Sequence, residues 1–268
     1  MPLVVTQAIV LHAFDYLETS RVLRLITRDA GVLSVIAKGA RRTRGRVGTG
    51  VDLFAEGEVQ VYTKPTRDLH TLGAFDVTVS RTGIAAEMSR FTAASALAEL
   101  TLRIAGDDAG PALFDGLSDS LTAIERATGD NVVERALAGA WRMVATAGFT
   151  PSLDVCAACH AQIDPAAAVA FSHPAGGALC ENCSRRAPTS RRLPAAARDV
   201  LRQWQADQLS VELSPDDARA HQRLLREFIR EHVAPDDRPL RAFAVWETGF
   251  GLKRQISSPV TPAIPAVG

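Results

Sequence analysis

Two cysteine pairs constrain this 268-residue chain more than any other feature of its sequence. Its four cysteines form two Cys-x-x-Cys pairs separated by 20 residues: Cys156, Cys159, Cys180 and Cys183. The spacing within a pair lets both sulfurs bind one ion, and two such pairs complete a tetrahedron. The sequence therefore predicts one Zn²⁺ ion held by four thiolates. Four protein ligands leave no open position for water or substrate, so we expect the zinc to be structural.

The main alternative is two unrelated thiol pairs. A redox pair of the thioredoxin type starts a helix in a βαβ unit, and the sequence shows no such unit. His160 and His173 lie close to the cysteines in sequence and could replace one of them as a ligand. Because four cysteines already saturate a tetrahedral site, we interpret both histidines as bystanders.

The composition is that of an ordinary globular protein. Hydrophobic residues make up 47% of the chain and charged residues 22%, which excludes a disordered, collagen-like or small disulfide-stabilised protein. Lysines and arginines together number 30, as do aspartates and glutamates, so the net charge is zero. A surface for a polyanion must therefore arise from local segregation of charge.

The apolar opening of the chain, Leu3–Leu11, predicts a β-strand. Thr6 and Gln7 interrupt this stretch and no Lys or Arg precedes it, whereas a secretory signal has a positive n-region and a longer apolar run. No apolar run approaches the roughly 18 residues of a membrane span. We therefore expect a cytoplasmic protein without a membrane partner. In that compartment, paired cysteines are more often metal ligands or redox centres than structural disulfides.

Residues 1–80 have the pattern of a small β-barrel. Short runs rich in Val, Ile and Leu alternate with turn residues, and Gly57 indicates a bulge or bend inside the fourth run. Five short strands in some 80 residues match a barrel of the OB type, and an SH3-like barrel is a competitor on pattern alone. The predicted strands are Val4–Leu11, Arg21–Thr27, Val32–Ala37, Leu53–Tyr62 and Leu69–Val77.

The rest of the chain is predicted to be helical, with the cysteines in an inserted module, so the fold class is α+β. Residues 81–150 form the first helical part, with apolar stripes between Ile84 and Ile104. Residues 151–190 form the zinc module. Residues 191–250 form the second helical part, in which Ser214-Pro215 starts a helix with Ser as N-cap. Residues 251–268, rich in Pro, are predicted to be a loose tail.

A basic segment in the barrel is the strongest indication of a nucleic-acid partner. It lies between two predicted strands and contains five cations and no acid: Lys38, Arg41, Arg42, Arg44 and Arg46. Arg21, Arg24 and Arg28 add charge from the second strand. OB-type grooves bind the phosphate backbone with cations and stack bases on aromatic side chains. Candidate stacking residues, each more typical of the core, are Phe14, Tyr16, Phe54 and Tyr62. A solvated surface loop is the alternative.

Two further basic features are weaker. One follows the second cysteine pair: Arg185, Arg186, Arg191 and Arg192. The other is a stripe within roughly 60° on one predicted helix face, which we call the arginine stripe: Arg219, Arg223, Arg226 and Arg230. A solvated face is the default interpretation of the stripe, and a phosphate or acidic-peptide contact is the alternative. His221 and His232 fall on the apolar side and are predicted to be hydrogen-bonded interior histidines.

Missing motifs argue against an enzyme. The sequence has no GxxxxGK[ST] nucleotide-binding loop and no HExxH metalloprotease motif, so no nucleotide cofactor is expected. No carboxylate pair with a nucleophile stands out either. Rival hypotheses are a zinc-dependent nuclease, which would need an open coordination position, and a zinc-ribbon adaptor that binds only protein.

Five segments of the chain match a known family: Ala8–Leu11, Asp15–Ser20, Thr27–Gly31, Ala37–Arg42 and Leu224–His232. With them, the chain resembles the RecO family of bacterial recombination mediators. The N-terminal residues follow the family pattern in order and spacing, and the two cysteine pairs match its zinc-bearing members. Leu17 departs mildly from the glycine usual at that position.

The resemblance implies an OB-fold, a helical domain and a zinc module. It also implies a non-enzymatic, nucleoid-associated protein that binds single- and double-stranded DNA and anneals complementary strands. With RecR, such a protein loads RecA onto strands coated by single-strand-binding protein, and it contacts the acidic C-terminal tail of the coating protein. The family's DNA-binding positions correspond here to Lys38, Arg41 and Arg42. For the tail, the arginine stripe of the 194–247 region is the predicted contact, beside a groove around Leu224, Phe228 and Trp246.

Overall fold

The first part of the chain forms a closed five-stranded barrel. In this computed structural model the described residues are 2–16, 18–38, 51–64, 67–105, 110–129, 131–208, 212–233 and 238–248. The strands lie close to the predicted ones: β1 Leu3–Tyr16, β2 Ser20–Thr27, β3 Val32–Ala37, β4 Glu56–Tyr62 and β5 Leu69–Val79.

The strand order identifies the barrel type. Neighbours follow the order β1-β2-β3-β5-β4, and β4 pairs with β1 to close the barrel. All pairs are antiparallel except β3 with β5, which run parallel from Ser34↔Leu69 to Ile36↔Thr71. A simple meander cannot place β3 beside β5 while β4 pairs with β1. The OB type is therefore confirmed, and the SH3-like alternative is wrong.

Two strand boundaries differ from the prediction for local reasons. A β-bulge between Val10 and His12 lets β1 continue to Tyr16 instead of ending at Leu11. Strand β4 begins at Glu56 instead of Leu53, because Phe54 has a φ of 68° and breaks the extended backbone. The irregularity predicted at Gly57 is confirmed, since the register shifts there. A Cβ at this glycine would lie 2.0 Å from the carbonyl oxygen of Asp76.

Helices follow the barrel, and most of them begin where the sequence predicts. Pro111 and Pro215 each start a helix, and the hydroxyl of Ser214 accepts the Asp217 N–H at 3.2 Å as N-cap. The predicted helix from Ile84 divides into two helices because the backbone of Glu87 is extended. The longer helices are α2 Met88–Ile104, α3 Pro111–Arg126, α4 Asn131–Thr146, α6 Ala195–Gln205, α7 Pro215–His232 and α8 Arg241–Thr248, with short α1 at Thr82–Ala85.

The barrel is joined to the helices through a shared apolar interface and one buried arginine. Outward side chains of the barrel, including Ile9 and Phe54, pack into the same core as the helices, whereas the barrel interior has its own core. Arg81, which follows β5, is 4% exposed. Its guanidinium donates to the Phe54 carbonyl at 3.0 Å and pairs with Glu56 at 2.5 Å.

The cysteine region is a small module packed on the helices. Strands β6 Val169–Ser172, β7 Gly177–Leu179 and β8 Arg191–Leu193 form a sheet in the order β7-β6-β8, and the short helix α5 spans Glu181–Ser184. Phe171 is fully buried and belongs to the helical core, so the module and the helices share one hydrophobic core. None of the helices in the described ranges has the length and apolarity needed to cross a membrane.

Candidate metal centre, nucleic-acid interface and basic cavity

The fold brings the four predicted cysteine ligands together. Their sulfur atoms all lie within 4.8 Å of one another, and the sulfurs of Cys159 and Cys180 are 3.7 Å apart. A zinc ion with Zn–S bonds of about 2.3 Å places tetrahedral sulfurs roughly 3.8 Å apart. All four cysteines are free thiols. The cluster therefore has the size and donor chemistry to hold one metal ion.

Local backbone structure positions each cysteine pair. The first pair is closed by the His160 N–H, which donates to the Cys156 carbonyl at 2.8 Å, with His160 itself at a φ of 60°. The second pair lies at the start of α5, where the Ser184 N–H donates to the Cys180 carbonyl at 2.9 Å. Gly177 in the hairpin has no room for a side chain, because a Cβ would lie 2.3 Å from the Ser152 carbonyl oxygen.

The thiols carry the electrostatic signature of a cation site. Burial raises the pKa of Cys156, but backbone hydrogen bonds from Cys180, Ala158 and Cys159 outweigh it and lower the pKa to about 6. The neighbouring sulfurs, Cys180 first, raise the pKa of Cys183 to about 12. Four thiolates this close repel one another, so full deprotonation of the cluster requires a bound cation.

The two histidines near the cysteines lie outside the sulfur cluster. His160 is exposed, and its backbone N–H donates to the Cys156 carbonyl of the first cysteine pair. His173 is buried, with Nε2 at 3.3 Å from the Leu224 carbonyl and 3.7 Å from a Glu227 oxygen. Burial lowers the pKa of His173. These contacts direct the His173 ring towards α7, as expected of a residue that does not ligate the metal.

One outer face of the barrel combines cations with exposed aromatic rings. Beyond the bulge in β1, alternate residues His12, Phe14 and Tyr16 point away from the barrel interior, which Ala13 faces. Phe14 and Tyr16 are each 44% exposed. On β2, Arg24 is exposed opposite His12. We call these residues, together with Lys38 just after β3, the barrel face.

The structure divides the four candidate stacking residues. Phe14 and Tyr16 lie on the barrel face, whereas Phe54 is 2% exposed and is a core residue. Tyr62 is exposed but pairs with Leu3, at the opposite end of β1 from Tyr16. The expectation that each ring belongs to the core is therefore wrong for three of the four.

The predicted cations of the barrel are only partly placed. Lys38 is exposed, and Arg41, Arg42, Arg44 and Arg46 lie outside the described residues. On the second strand, Arg21 pairs with Asp15 at 3.5 Å and Arg28 pairs with Asp115 at 3.0 Å. Arg24 has no ion pair within the described part of the chain. Sequence reasoning weighted these three arginines equally, but ion pairing leaves Arg24 as the cation best placed for a phosphate.

The arginine stripe of α7 does not act as one uniform surface. Arg219 pairs with Asp216, and Arg226 pairs with Glu247 of α8 at 2.5 Å. Arg223 and Arg230 are exposed, and neither has an ion pair among the described residues. Of the three residues of the predicted groove, Leu224 lines a cavity, whereas Phe228 and Trp246 are 1% and 3% exposed and form part of the core.

A cavity of about 370 Å³ lies instead between α7 and the cysteine module. Apolar side chains line it from β6, β8, α6 and α7, and three arginines border it. Arg191 pairs with Glu227 at 2.6 Å, whereas Arg192 and Arg223 are exposed without an ion pair within the described ranges. The lining includes Phe171, Leu193, Ala197, Ala220, His221 and Leu224.

His221 and His232 differ in their hydrogen bonding. The His232 ring Nε2 lies 2.6 Å from the His173 carbonyl, as expected for a bonded interior histidine. His221 is 2% exposed, but neither ring nitrogen has a hydrogen-bond partner among the described residues. Burial lowers the pKa of His221 to about 4, against a smaller opposing effect of Asp217. The prediction of a hydrogen-bonded His221 is therefore wrong, and the imidazole is neutral at pH 7.

Two protein-family models together match nearly the whole of the described chain. The family model "Recombination protein O N terminal" matches residues 1–81, which hold the barrel. The model "Recombination protein O C terminal" matches residues 85–241, which hold the helices and the cysteine module. The chain belongs to the RecO family. The RecO resemblance seen in the sequence is thereby confirmed, and the protein is a DNA repair and recombination protein.

Individual RecO relatives match over most of their length. The DNA repair protein RecO of Rubrobacter xylanophilus is 32% identical over 235 residues, which cover 87% of this chain and 92% of the relative. The DNA repair protein RecO of Synechococcus elongatus is 30% identical over 255 residues, covering 91% and 94%. The similarity therefore includes the barrel, the cysteine module and the helices together.

Proposed function

We propose that this RecO-family protein is a non-enzymatic DNA-binding mediator that binds single and double strands and anneals complementary strands. The observation that carries the proposal is the barrel face: Arg24 is exposed on β2, the strand that pairs with the exposed rings' strand β1, and Lys38 is exposed just after β3, which pairs with β2. Cations neutralise phosphates without reading sequence. Exposed rings accept unstacked bases of any identity. Together they fit single strands of arbitrary sequence.

Annealing without ATP has to depend on binding energy alone. Two complementary strands repel each other through their phosphates, and a cationic surface lowers that repulsion. Base pairing then supplies the driving force. We assign the basic segment Lys38, Arg41, Arg42, Arg44 and Arg46 to this neutralisation. RecR and RecA, the family's implied partners, would act on the strands so presented.

The cysteine cluster fits a structural Zn²⁺ ion in this proposal. Zinc favours four thiolates in a tetrahedron, and the sulfur spacing fits that size. When bound, the ion would hold the two cysteine pairs together and neutralise their thiolates. A nuclease using this metal would need a ligand position for water, and four cysteines fill the tetrahedron. The proposed role of the cluster is thus to stabilise the module.

Removing the barrel-face rings tests the DNA proposal. Base stacking on an aromatic ring contributes about 1–3 kcal/mol per base, so Phe14→Ala and Tyr16→Ala should each weaken single-strand binding about tenfold. Duplex binding should change little, because paired bases are stacked on each other. Fluorescence anisotropy with a labelled oligonucleotide and its duplex measures both affinities.

Tyr62→Ala is the matched control, since it removes an exposed ring at the other end of β1. Equal losses for Tyr62→Ala and Phe14→Ala would contradict a binding site on the barrel face. Absence of any DNA binding at low salt would favour the second candidate, a zinc-ribbon adaptor that binds only protein.

We further propose that the cavity beside α7 receives the C-terminal tail of single-strand-binding protein. An acidic tail with an apolar end needs cations to steer it and an apolar space to hold it. The cavity offers Phe171, Leu193 and Leu224 as apolar lining, with Arg192 and Arg223 at its border. In this proposal Arg223 is the one member of the arginine stripe that contacts the tail, and the site extends from α7 towards β8.

Two charge reversals on the same helix face distinguish tail binding in the cavity from tail binding along the arginine stripe. Arg223→Glu should weaken binding of a labelled tail peptide about tenfold, because it places a like charge beside the acidic ligand. Arg230→Glu makes the same charge change outside the cavity and should leave the affinity nearly unchanged. Fluorescence anisotropy of the tail peptide gives both values. Equal losses of peptide affinity for the two variants would indicate that the tail binds along the whole arginine stripe and not in the cavity.

A further inference from the structure

The cavity beside α7 runs along one edge of the three-stranded sheet of the cysteine module. Strand β8 is the last strand in the order β7-β6-β8, so it pairs on its β6 side. Arg191 and Leu193 share the sheet face of Phe171, because directly paired and alternate residues lie on the same side. Arg192 lies on the opposite face. Since all three successive residues of β8 border the cavity, the cavity reaches the main-chain edge of the strand.

Hydrogen bonds of β7 show how the main-chain groups of this sheet are oriented. The Ala178 N–H donates to the Ser152 carbonyl at 2.7 Å, and the Ala178 carbonyl accepts the Ala157 N–H at 2.8 Å. Both groups of Ala178 therefore point away from β6, and Ala178 forms a non-hydrogen-bonded pair with Phe171. The N–H and carbonyl of Phe171 consequently point to the other side, towards β8.

This orientation leaves one residue of β8 with outward main-chain groups. Phe171 exchanges its hydrogen bonds with Arg191, and bonded and non-bonded pairs alternate along an antiparallel ladder. The N–H and carbonyl of Arg192 therefore point away from β6, and neither has a hydrogen-bond partner among the described residues. At the two ends of the strand, the Ser190 N–H and the Pro194 carbonyl already have partners within the chain.

An edge with a free N–H and a free carbonyl can be extended by a peptide in β conformation. A peptide residue opposite Arg192 in an antiparallel pair exchanges two hydrogen bonds with it. The side chain of that residue lies on the face of Arg192, where a carboxylate forms a favourable cross-strand pair. The two neighbouring side chains of the peptide lie on the other face, where Leu193 and Leu224 line the cavity.

We infer that the tail of single-strand-binding protein binds as an added β-strand on the outer edge of β8, held by the N–H and carbonyl of Arg192. The inference rests on the tail site proposed above and specifies the conformation of the bound tail. Alternation along an extended segment places acidic side chains on one face and apolar side chains on the other. One short segment therefore meets the arginines at the border and the apolar lining at the same time.

A comparison of Arg192→Pro with Arg192→Ala tests the main-chain contact. Both variants remove the guanidinium, but only proline removes the backbone N–H and puts a ring where the added strand lies. Proline is tolerated on an edge strand when its nitrogen faces away from the sheet, so Arg192→Pro should fold. We expect the labelled tail peptide to bind Arg192→Pro at least tenfold more weakly than Arg192→Ala in fluorescence anisotropy. Equal affinities would overturn the inference.

Arg191→Pro is the control for the orientation of the strand. Its N–H points towards β6, so proline at this position interrupts the ladder between β6 and β8. Thermal melts should show a lower melting temperature for Arg191→Pro than for Arg191→Ala, whereas Arg192→Pro should melt close to Arg192→Ala. The reverse pattern would show that the Arg192 N–H points into the sheet, and the added strand would then be impossible.

Amide hydrogen exchange of the wild-type protein gives a readout that needs no variant. In the free protein the Arg192 amide should exchange quickly and the Arg191 amide slowly, because only the latter is bonded within the sheet. Saturation with the tail peptide should slow exchange at Arg192 at least tenfold. An unchanged rate at Arg192 would contradict the inference. Protection that grows with protein concentration in the absence of peptide would also contradict it, since a second copy of the chain would then occupy the edge.

The outcomes separate this inference from the proposed tail site. If Arg223→Glu weakens peptide binding but Arg192→Pro binds the peptide like Arg192→Ala, the added strand is wrong and the tail site stands. If Arg223→Glu leaves peptide binding unchanged and the peptide protects no amide of β8, the tail site is wrong and the inference falls with it.

Discussion

Replacing Cys156 or Cys180 by Ser is expected to unfold the predicted zinc module, residues 151–190, together with β8, which pairs with β6 in the same sheet. Binding of a structural Zn²⁺ ion contributes about 10–16 kcal/mol in finger peptides, comparable with the roughly 5–15 kcal/mol that stabilises a typical domain. Each serine variant removes one of the four clustered sulfurs. Metal analysis should find one zinc per wild-type chain and much less in either variant.

The effect should extend beyond the module because its core is continuous with that of the helices. The Phe171 ring packs against Phe228 of α7, with centroids 6.2 Å apart, and Arg202 of α6 pairs with Asp154 at 2.6 Å. Loss of the metal would release both contacts. Thermal melts should therefore show a lower melting temperature for the whole helical part, and the variants should be less soluble.

His160→Asn, which removes the imidazole and tolerates the φ of 60° at this position, is the matched control for the zinc prediction. His160 is exposed and lies beside Cys159, but its ring is outside the sulfur cluster. This variant should retain its metal and melt close to wild type. The structural-zinc proposal would be wrong if clean protein contained no zinc and the serine variants melted like wild type.

The sequence predicts the elements of this protein whose signals are local. The cysteine spacing predicts the sulfur cluster because each pair is fixed by a single turn, as the His160 and Ser184 backbone hydrogen bonds show. Gly57 predicts the bulge because the close approach of Asp76 leaves no space for a Cβ. Pro215 after Ser214 predicts the start of α7 because proline and the N-cap both belong to the first turn.

Features that depend on distant segments could not be predicted in the same way. The cavity is formed by Phe171, Leu193 and Leu224, which only the packing of the module on α7 brings together. The arginine stripe looked uniform because the partner of Arg226 is Glu247, on another helix. The OB and SH3-like barrels share one sequence pattern, and only the parallel pairing of β3 with β5 separates them.

The barrel face could be predicted from the sequence only in part. Alternation of His12, Phe14 and Tyr16 is visible in the sequence, but the bulge before His12 decides which face these residues occupy. Without the bulge, the alternation that places Ala8 and Val10 in the barrel interior would place Phe14 and Tyr16 there as well. The exposure of the two rings is therefore a result of the register and not of residue type.

Raising the salt concentration from about 50 to 200 mM is expected to weaken duplex binding by roughly 500-fold. Each phosphate neutralised on a duplex releases condensed counterions, and log K falls with log salt by about 0.9 per phosphate contact. The five cations Lys38, Arg41, Arg42, Arg44 and Arg46 neutralising about five phosphates give a slope near −4.5. Such contacts carry no base information, so unrelated sequences should give the same slope.

Reversing Lys38 and Arg41 to Glu tests where those contacts are made. With two of the five cations removed, the slope should flatten to about −2.7, and all sequences should bind more weakly to a similar degree. Arg185→Glu with Arg186→Glu makes the same charge change on the cysteine module and should leave the slope near −4.5. An unchanged slope for the Lys38 and Arg41 reversals, with flattening for the Arg185 and Arg186 pair, would place the DNA surface on the module. In that case the five barrel cations would be an ordinary solvated segment, and the exposed rings of Phe14 and Tyr16 would need another explanation.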